Sequence, residues 1–188
     1  MKKKDIRNVY KQKRAALSDD QRRDFDQRIA EHFQKLSLPS IHYLHRYMPV
    51  ADQQEVRIDL IIQYLKGLNP ALQQIVPIMI GDDMQSFIYN DNMTTQKNQW
   101  GIEEPVERVP ADIQLIHCVL VPLLAFDIKG NRVGYGKGCY DRFLADCNKE
   151  VIKIGLSYFE PVDEIADTDK FDISLDYCIT PERIYEFG

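Results

Sequence analysis

The feature that most constrains the fold is an apolar run from residue 114 to residue 124, in which apolar and polar side chains hardly alternate. Strands that are buried on both faces of a parallel sheet have such near-continuous apolar sequences, because helices cover both faces. We therefore expect this run to form the central strand of a parallel sheet.

Helical and strand patterns alternate on both sides of this run. Apolar positions recur at helical spacing over residues 3–17, and Ser18 with Gln21 forms a capping-box pattern that begins a second helix, which ends before Pro39. The other predicted elements are helices at residues 56–68 and 139–148, and strands at residues 41–50, 74–80, 86–89, 151–157 and 176–180. Alternation of this kind indicates an α/β protein. The chain contains no linker or repeat, so we predict a single layered domain, residues 1–188, with a mostly parallel central sheet flanked by helices.

Composition and charge argue against several functional classes. The formal net charge of −5 disfavours a broad nucleic-acid-binding face, which needs many cations against phosphates. The sequence has no run of about 18 apolar residues to span a bilayer, and its start is charged rather than apolar. We therefore expect a cytoplasmic protein without a nucleic-acid or membrane partner. The four cysteines lack the paired spacing of zinc sites, so reduced and mostly buried thiols are expected.

A glycine-rich segment, residues 130–138, contains four of the nine glycines and lies between a predicted strand and a predicted helix. Glycine permits positive φ and close backbone approach to a ligand, and a helix N-terminus offers unpaired N–H groups to anions. Arg132 and Lys137 add cations, so the segment has the donors that a polyphosphate requires. The pattern is neither a Walker A loop nor a complete dinucleotide fingerprint. A glycine-rich turn with only a structural role explains the pattern equally well.

Asp141 follows this segment and indicates a metal ion. A carboxylate beside a phosphate-binding loop repels the ligand unless a cation lies between them, and Mg²⁺ prefers one or two carboxylates with phosphate oxygens and water. The second acid could be Asp172 or Asp176, and the alternative role for Asp141 is a first-turn charge favoured by the helix dipole. None of the histidines lies in a nucleophile signature, which suits phosphoryl transfer, where the attacking atom can belong to the substrate.

Several segments resemble a known enzyme family. They are residues 3–7 (K-K-D-I-R), 121–127 (V-P-L-L-A-F-D) and 130–144 (G-N-R-V-G-Y-G-K-G-C-Y-D-R-F-L). These sequences are similar to the signature of the 5-formyltetrahydrofolate cyclo-ligases, also called methenyltetrahydrofolate synthetases. Residues 100–105 and 172–180 also have counterparts, so the resemblance spans essentially the whole chain. It implies that the formyl oxygen of 5-formyltetrahydrofolate takes the γ-phosphoryl group of ATP, that the other folate nitrogen attacks the activated carbon, and that phosphate leaves.

The resemblance also implies which residues bind ATP. These are Lys3, Arg7, Gly130, Asn131, Arg132, Val133, Gly134, Tyr135, Gly136, Lys137 and Gly138. Arg132 and Lys137 would be the catalytic cations, because they would neutralise the charge that develops during transfer.

The remaining implied roles concern Mg²⁺ and the folate. Asp141 and Asp172 would hold the metal ion. Glu55 would accept hydrogen bonds from the pterin, and Trp100 and Tyr140 would supply flat surfaces for the folate, although a single tryptophan more often belongs to the core. The implied partner is the small-molecule substrate alone, and we expect a monomer.

The chain departs from the family pattern at Cys139, Leu123 and Arg57, where many members have a tyrosine, a glycine and a smaller residue. These departures affect the expected folate affinity more than the reaction type, because no charged group that the chemistry needs is lost. Two other functions stay open. One is a nucleotide- or folate-binding module without turnover, and the other is a sugar-phosphate or coenzyme A enzyme on a related fold.

Overall fold

The structure, a computed structural model, describes residues 1–81, 83–98 and 101–188. Its α-helices are α1 (Lys3–Ala15), α2 (Asp19–Phe33), α3 (Asp59–Leu68) and α4 (Cys139–Asp146). Its strands are β1 (Tyr43–His45), β2 (Gln73–Ile80), β3 (Asp83–Tyr89), β4 (Thr95–Lys97), β5 (Glu103–Pro105), β6 (Cys118–Val121), β7 (Ala125–Phe126), β8 (Arg132–Val133), β9 (Ile152–Leu156), β10 (Tyr177–Ile179) and β11 (Ile184–Glu186). None of the helices in these ranges is long and apolar enough to cross a membrane.

Within the described residues, seven strands form one mixed sheet in the order β11-β10-β9-β6-β1-β2-β3. The five inner strands are parallel to one another, and the edge strands β11 and β3 pair antiparallel with their neighbours. Strand β6 lies in the middle of the sheet. The predicted α/β class and the central position of the apolar run are therefore confirmed, although only Cys118–Val121 of that run forms a strand.

All side chains of β6 are buried, and they alternate between two hydrophobic clusters. Cys118 and Leu120 belong to the cluster that includes α2 and α3, whereas Val119 and Val121 belong to the cluster that includes α4. The sheet therefore has a helical layer on each face. This double burial explains why the sequence of the central strand is apolar without alternation.

Helix α1 presents two adjoining stripes of residues at helical spacing. The buried stripe consists of Ile6, Tyr10 and Arg14. The other stripe lines a cavity and consists of Lys3, Arg7 and Lys11. The first fourteen residues contain a basic run, whose pattern predicts a solvated helix face and which consists of Lys2, Lys3, Lys4, Arg7, Lys11, Lys13 and Arg14. The structure divides this run between the protein interior, a cavity and solvent.

Some short strands differ from the prediction. The sequence predicts a loop over residues 130–138, but Arg132–Val133 forms β8 and pairs with β7. The strand predicted at residues 176–180 is not the last one, because a turn closed by the bond from Thr180 N to Arg183 O (3.0 Å) leads into β11. Strands of two or three residues are too short to show a recognisable alternation.

Candidate active site

A cavity of about 640 Å³ lies at the carboxyl ends of β1 and β6. Tyr47 and Met48 line it directly after β1, and Pro122 lines it directly after β6. Its other walls come from α1, the β2–β3 hairpin, the segment around the start of α4 and Asp172. Ligands in parallel α/β sheets bind at this edge, and the volume suits a ligand of cofactor size.

The glycine-rich segment divides into a structural half and a cavity-lining half. Gly130 (φ +81°) packs so closely against Phe187 that a Cβ would lie 2.7 Å from Cγ of the ring. Asn131 donates from its backbone and side-chain N–H groups to Asp127, and Val133 is fully buried. These residues hold the β7–β8 turn and do not line the cavity. The residues of the segment that line it are Arg132, Gly134, Tyr135, Gly136, Lys137 and Gly138.

The cavity-lining half forms a loop that α1 holds in place. Arg7 Nε donates to Gly134 O (2.9 Å), and the guanidinium packs against Gly136, where φ is +98° and a Cβ would lie 3.2 Å from Cζ. Gly138, with φ +64°, immediately precedes α4, so the first turn of this helix begins at the cavity wall. First-turn N–H groups lack helical partners and bind anions. With Lys137 in the same loop, this wall can bind a polyphosphate.

Two ion pairs join acids and cations of the cavity wall. Arg132 donates from Nη2 to Asp141 Oδ1 (2.7 Å) and from Nη1 to Ile173 O. Burial lowers the pKa of Arg132, and the Asp141 carboxylate opposes that change. Lys3 Nζ donates to both carboxylate oxygens of Asp172, at 2.7 and 2.5 Å. Burial tends to raise the pKa of Asp172, but hydrogen bonds from Lys3 and from the backbone N of Asp169, with the charges of Lys3 and Arg132, outweigh it, so this pKa lies below its usual value.

Asp141 and Asp172 are the acids of this wall that could hold a magnesium ion together with a nucleotide. Asp141 from α4 and Asp172 from the loop before β10 line the same cavity. Among the described residues, no group of three or more His, Cys, Asp or Glu side chains could hold a metal ion by itself. Mg²⁺ usually takes one or two carboxylates and fills its other positions with phosphate oxygens and water. The alternative second acid, Asp176, pairs instead with Lys153 and lies outside the cavity lining.

Glu55 is a buried carboxylate that lines the same cavity. It is 9% exposed and follows Gln54, whose φ of +48° places a left-handed residue in the turn before α3. Its carboxylate accepts hydrogen bonds from Tyr135 Oη (2.7 Å) and Val50 N (2.9 Å). Burial raises the pKa of Glu55, and these two bonds offset part of the increase. Because a carboxylate has about four acceptor sites, Glu55 can accept further bonds from a ligand.

The apolar part of the wall includes residues that the sequence argument missed. Met48, Met79 and Met84 line the cavity, and Met79 lies opposite Met84 in the β2–β3 pairing. The two short strand patterns around that hairpin could have predicted this pairing. Tyr140, which the resemblance implies as a folate contact, lines the cavity too, and its buried hydroxyl has no hydrogen-bond partner among the described residues. Trp100 lies outside the described residues.

Comparisons with known proteins identify the family. The sequence profile of the 5-formyltetrahydrofolate cyclo-ligase family matches residues 1–181. The chain belongs to this family. It is 30% identical to the 5-formyltetrahydrofolate cyclo-ligase of Mycoplasma pneumoniae over 185 residues, which cover 97% of this chain and 100% of the relative.

Two solved structures resemble this cyclo-ligase family member over nearly its whole length. A 5,10-methenyltetrahydrofolate synthetase from Mycoplasma pneumoniae matches with a TM-score of 0.76 and 27% identity, covering 96% of this chain and 99% of that chain. The NMR structure of the Aquifex aeolicus 5,10-methenyltetrahydrofolate synthetase matches with a TM-score of 0.80 and 26% identity, covering 99% of this chain and 93% of that chain. The fold is therefore that of the methenyltetrahydrofolate synthetases.

The structure accommodates each departure from the cyclo-ligase pattern locally. Leu123 is 2% exposed, and its Cδ2 lies 2.6 Å from the position of a Cβ on Gly155, so the bulk of Leu123 occupies space that the glycine leaves. Arg57 Nε donates to Asp26 Oδ2 (3.1 Å) behind the turn that carries Glu55. Cys139 lines the cavity at the start of α4. None of the three removes a charged side chain from the cavity wall.

Proposed function

We propose that this cavity is where the chain carries out the reaction of its family, the ATP-dependent ring closure of 5-formyltetrahydrofolate. The formyl oxygen takes the γ-phosphoryl group as ADP leaves, the second folate nitrogen attacks the activated carbon, and phosphate departs. The products are 5,10-methenyltetrahydrofolate, ADP and phosphate. One observation carries the proposal: a loop suited to phosphate and a buried carboxylate line one cavity and are joined by the bond from Tyr135 to Glu55 (2.7 Å).

In this proposal ATP binds along residues 134–138, which we call the phosphate loop. The backbone donors of the loop and the first turn of α4 surround the triphosphate, and Lys3 and Arg7 approach it from α1. Lys137 lies between two glycines, where a compact ammonium group can neutralise charge that develops on the transferred phosphoryl group. Gly130, Asn131 and Val133 contribute indirectly, because they shape the hairpin from which the loop emerges.

Asp141 and Asp172 are the residues that would hold Mg²⁺. When bound, this ion would neutralise phosphate oxygens and orient them. Arg132 lies beside this site and donates to Asp141 (2.7 Å), so it both fixes the direction of that carboxylate and adds positive charge next to the phosphates.

The folate occupies the apolar side of the same cavity. Glu55 accepts hydrogen bonds from the amino and ring N–H groups of the pterin, which match a carboxylate in geometry and charge. Tyr140 and the methionines Met48, Met79 and Met84 contact the rings. The formyl group then lies between Glu55 and the phosphate loop, where it can reach the γ-phosphoryl group.

The two rival functions have less support. A binding module without turnover has little use for Lys3, Arg7 and Lys137 together with a pair of acids around one cavity. A sugar-phosphate or coenzyme A enzyme needs a catalytic group near a substrate carbon, and Glu55 is held instead by Tyr135 and Val50. The proposal includes a cytoplasmic monomer without nucleic-acid or membrane partners. The net charge of −5 supports only the absence of a broad nucleic-acid-binding face.

Replacing Lys137 tests the enzymatic role. In Lys137→Ala, kcat should fall by on the order of a hundredfold, the usual effect of losing one preorganised electrostatic donor, while ATP affinity changes much less. Lys137→Arg should restore only part of the rate, because the planar guanidinium is larger than an ammonium group. ATP binding and single-turnover rates measure both effects, with Lys149→Ala, an exposed lysine outside the cavity, as the control. Equal losses in binding and rate would make Lys137 a binding contact only, and an unchanged rate would refute the catalytic role.

A further inference from the structure

Arg14 is a buried cation that does not line the cavity but touches the segments that form it. It is 2% exposed, because α1 carries it inward on the same stripe as Ile6 and Tyr10. Its Nη2 donates to Leu123 O (2.6 Å), two residues beyond the carboxyl end of the central strand β6. Its Nη1 donates to Tyr135 Oη (3.0 Å) and, more weakly, to Gln53 O (3.4 Å).

The direction of the bonds around Tyr135 follows from the partners. Arginine can only donate, and an ionised carboxylate can only accept, so the Tyr135 hydroxyl accepts from Arg14 and donates to Glu55. Burial raises the pKa of Tyr135, so the hydroxyl keeps the proton that it donates. The three side chains therefore form one directed chain of hydrogen bonds, which we call the Arg14–Tyr135–Glu55 relay.

The relay connects the two proposed ligand sites. Tyr135 belongs to the phosphate loop, whose backbone Arg7 also holds at Gly134 O (2.9 Å). Glu55 belongs to the turn proposed to bind the pterin. Because hydrogen bonds of a relay polarise one another, a shift of the loop changes the donor that Glu55 receives, and a shift of Glu55 pulls on the loop.

We propose that Arg14 is a positioning residue that, through Tyr135, couples nucleotide binding at the phosphate loop to folate binding at Glu55. This inference rests on the proposed function, since it names the same two ligands. Nucleotide that orders the loop also fixes the donor of Glu55, so each ligand should bind more tightly when the other is present. Thermodynamic linkage requires the two enhancements to be equal.

Arginine is required at this position for a geometric reason. The guanidinium reaches acceptors on the β6 end, the phosphate loop and the Gln53 turn at the same time, because its donors are fixed in one plane. A lysine has a single ammonium group and cannot reach all these acceptors. The positive charge of Arg14 also lowers the pKa of the Glu55 carboxyl, against the effect of burial.

The test compares Arg14→Lys and Tyr135→Phe with two control variants. The control for Arg14→Lys is Arg22→Lys, which removes the arginine bonds to Leu17 O and Asp19 outside the relay. The control for Tyr135→Phe is Tyr185→Phe, which removes the tyrosine bond to Glu160. For each protein, the Kd of 5-formyltetrahydrofolate is measured with and without the β,γ-imido analogue of ATP. The ratio of the two Kd values reports the coupling, and the KM values, kcat and melting temperature are measured alongside.

In the wild type, the Kd of 5-formyltetrahydrofolate without the ATP analogue should be well above its Kd with the analogue. In Arg14→Lys and in Tyr135→Phe, this Kd ratio should fall by about tenfold or more, towards one. A fall of this size is typical of the loss of a hydrogen bond to a charged group. The double variant should show little further loss, because both changes break the same relay. The controls should keep the wild-type ratio.

If Arg14→Lys does not fold, Tyr135→Phe decides the question alone. Two results would overturn the coupling inference but not the proposed function. One is a wild-type protein that turns over substrate but has a Kd ratio of one. The other is a set of relay variants in which the melting temperature falls while the Kd ratio stays at the wild-type value. A folded wild-type protein without turnover would instead refute the proposed function.

Discussion

Glu55 and Arg132 are both buried charges, and the protein stabilises them in different ways. Arg132 has a direct ion-pair partner in Asp141, whereas Glu55 receives hydrogen bonds from the neutral donors Tyr135 and Val50. Neutral donors offset less of the cost of burying a charge than a counter-ion does. Burial therefore raises the pKa of Glu55, and its carboxyl group takes up a proton at a higher pH than an exposed glutamate does.

Folate binding should depend on the ionisation of Glu55. Burial places the pKa of Glu55 above its ordinary value of 4.5, so the ionised fraction falls at a higher pH than it does for an exposed glutamate. Since the ionised form accepts the pterin donors, the Kd of 5-formyltetrahydrofolate should rise as the pH decreases through this raised pKa. In Glu55→Gln the affinity should be weak, and its dependence on pH over the same range should disappear. Calorimetric titration of both proteins at several pH values measures this, and an equal pH dependence in the two would contradict the role of Glu55.

The metal assignment predicts a specific loss in Asp141→Asn. The amide keeps an oxygen to accept from Arg132 and from Ile173 N, so the variant should stay folded, but it loses the charge that Mg²⁺ requires. Turnover should fall most strongly at limiting Mg²⁺, and the apparent Mg²⁺ affinity should decrease. Magnesium titrations of the rate compare this variant with Asp146→Asn, an exposed acid on the same helix outside the cavity. Wild-type magnesium dependence in Asp141→Asn would show that the assignment is wrong.

Sequence reasoning at this scale succeeded where a residue type matched a motif and failed where packing decides its role. The resemblance located Lys3, Arg7 and Lys137, which the structure brings to one cavity. It did not separate the structural half of the glycine segment from the cavity-lining half, because both halves have the same residue types. Arg14 belongs to the basic run of residues 2–14, whose pattern predicts a solvated helix face. Its spacing of four residues from Tyr10, which follows Ile6 at the same spacing, was the available sign of burial.

At the scale of elements, the long periodic segments were predicted well and the short ones were not. The capping box of α2 is confirmed, since Ser18 Oγ accepts from Gln21 N (3.1 Å) and Gln21 Oε1 accepts from Ser18 N (2.9 Å). The helix predicted at residues 56–68 begins only at Asp59, because the preceding residues form the turn that carries Glu55. Local periodicity cannot reveal such a turn, since tertiary bonds to the loop and to neighbouring elements hold it.

The contact between the end of β6 and β9 predicts a coupled packing effect. A methyl group on Gly155 would lie 2.6 Å from Leu123 Cδ2 and 2.7 Å from Leu175 Cδ1, both in the core. Gly155→Ala should therefore lower the free energy of unfolding by about 1–3 kcal/mol, as overpacked cores do. Adding Leu123→Ala should cost less than the sum of the two single changes, because it removes one of the clashing groups.

Denaturant unfolding of the single and double variants measures this coupling. Gly67→Ala is the matched control, because this glycine lies in α3 and, apart from its own helix and chain neighbours, no described atom lies within 4 Å of its Cβ position. That change should be neutral or stabilising by up to about 1 kcal/mol. Strictly additive effects of Gly155→Ala and Leu123→Ala would contradict the packing account.

At the scale of the whole molecule, the site exists only because distant segments converge on one edge of the sheet. Helix α1, the turn at Glu55, the β2–β3 hairpin, the phosphate loop and Asp172 are spread over most of the chain, yet all line one cavity of about 640 Å³. The α/β pattern predicted the sheet and the edge at which ligands bind. It could not predict the Arg14–Tyr135–Glu55 relay or the place of Met48 in the cavity wall, because these depend on which side chains meet in three dimensions. The cyclo-ligase family relationship indicates one reaction, and we propose that this cavity carries it out.

The most direct test of this reaction is to incubate the purified wild-type protein with 5-formyltetrahydrofolate, ATP and Mg²⁺ and to follow the near-ultraviolet absorbance of 5,10-methenyltetrahydrofolate. Parallel samples without ATP, and with Lys137→Ala in place of the wild type, serve as controls. We predict product formation that requires ATP, with one ADP and one phosphate released per product molecule, and a rate roughly a hundredfold lower in Lys137→Ala. A folded wild-type protein that forms no methenyl product, or that forms it equally well without ATP, would contradict the account.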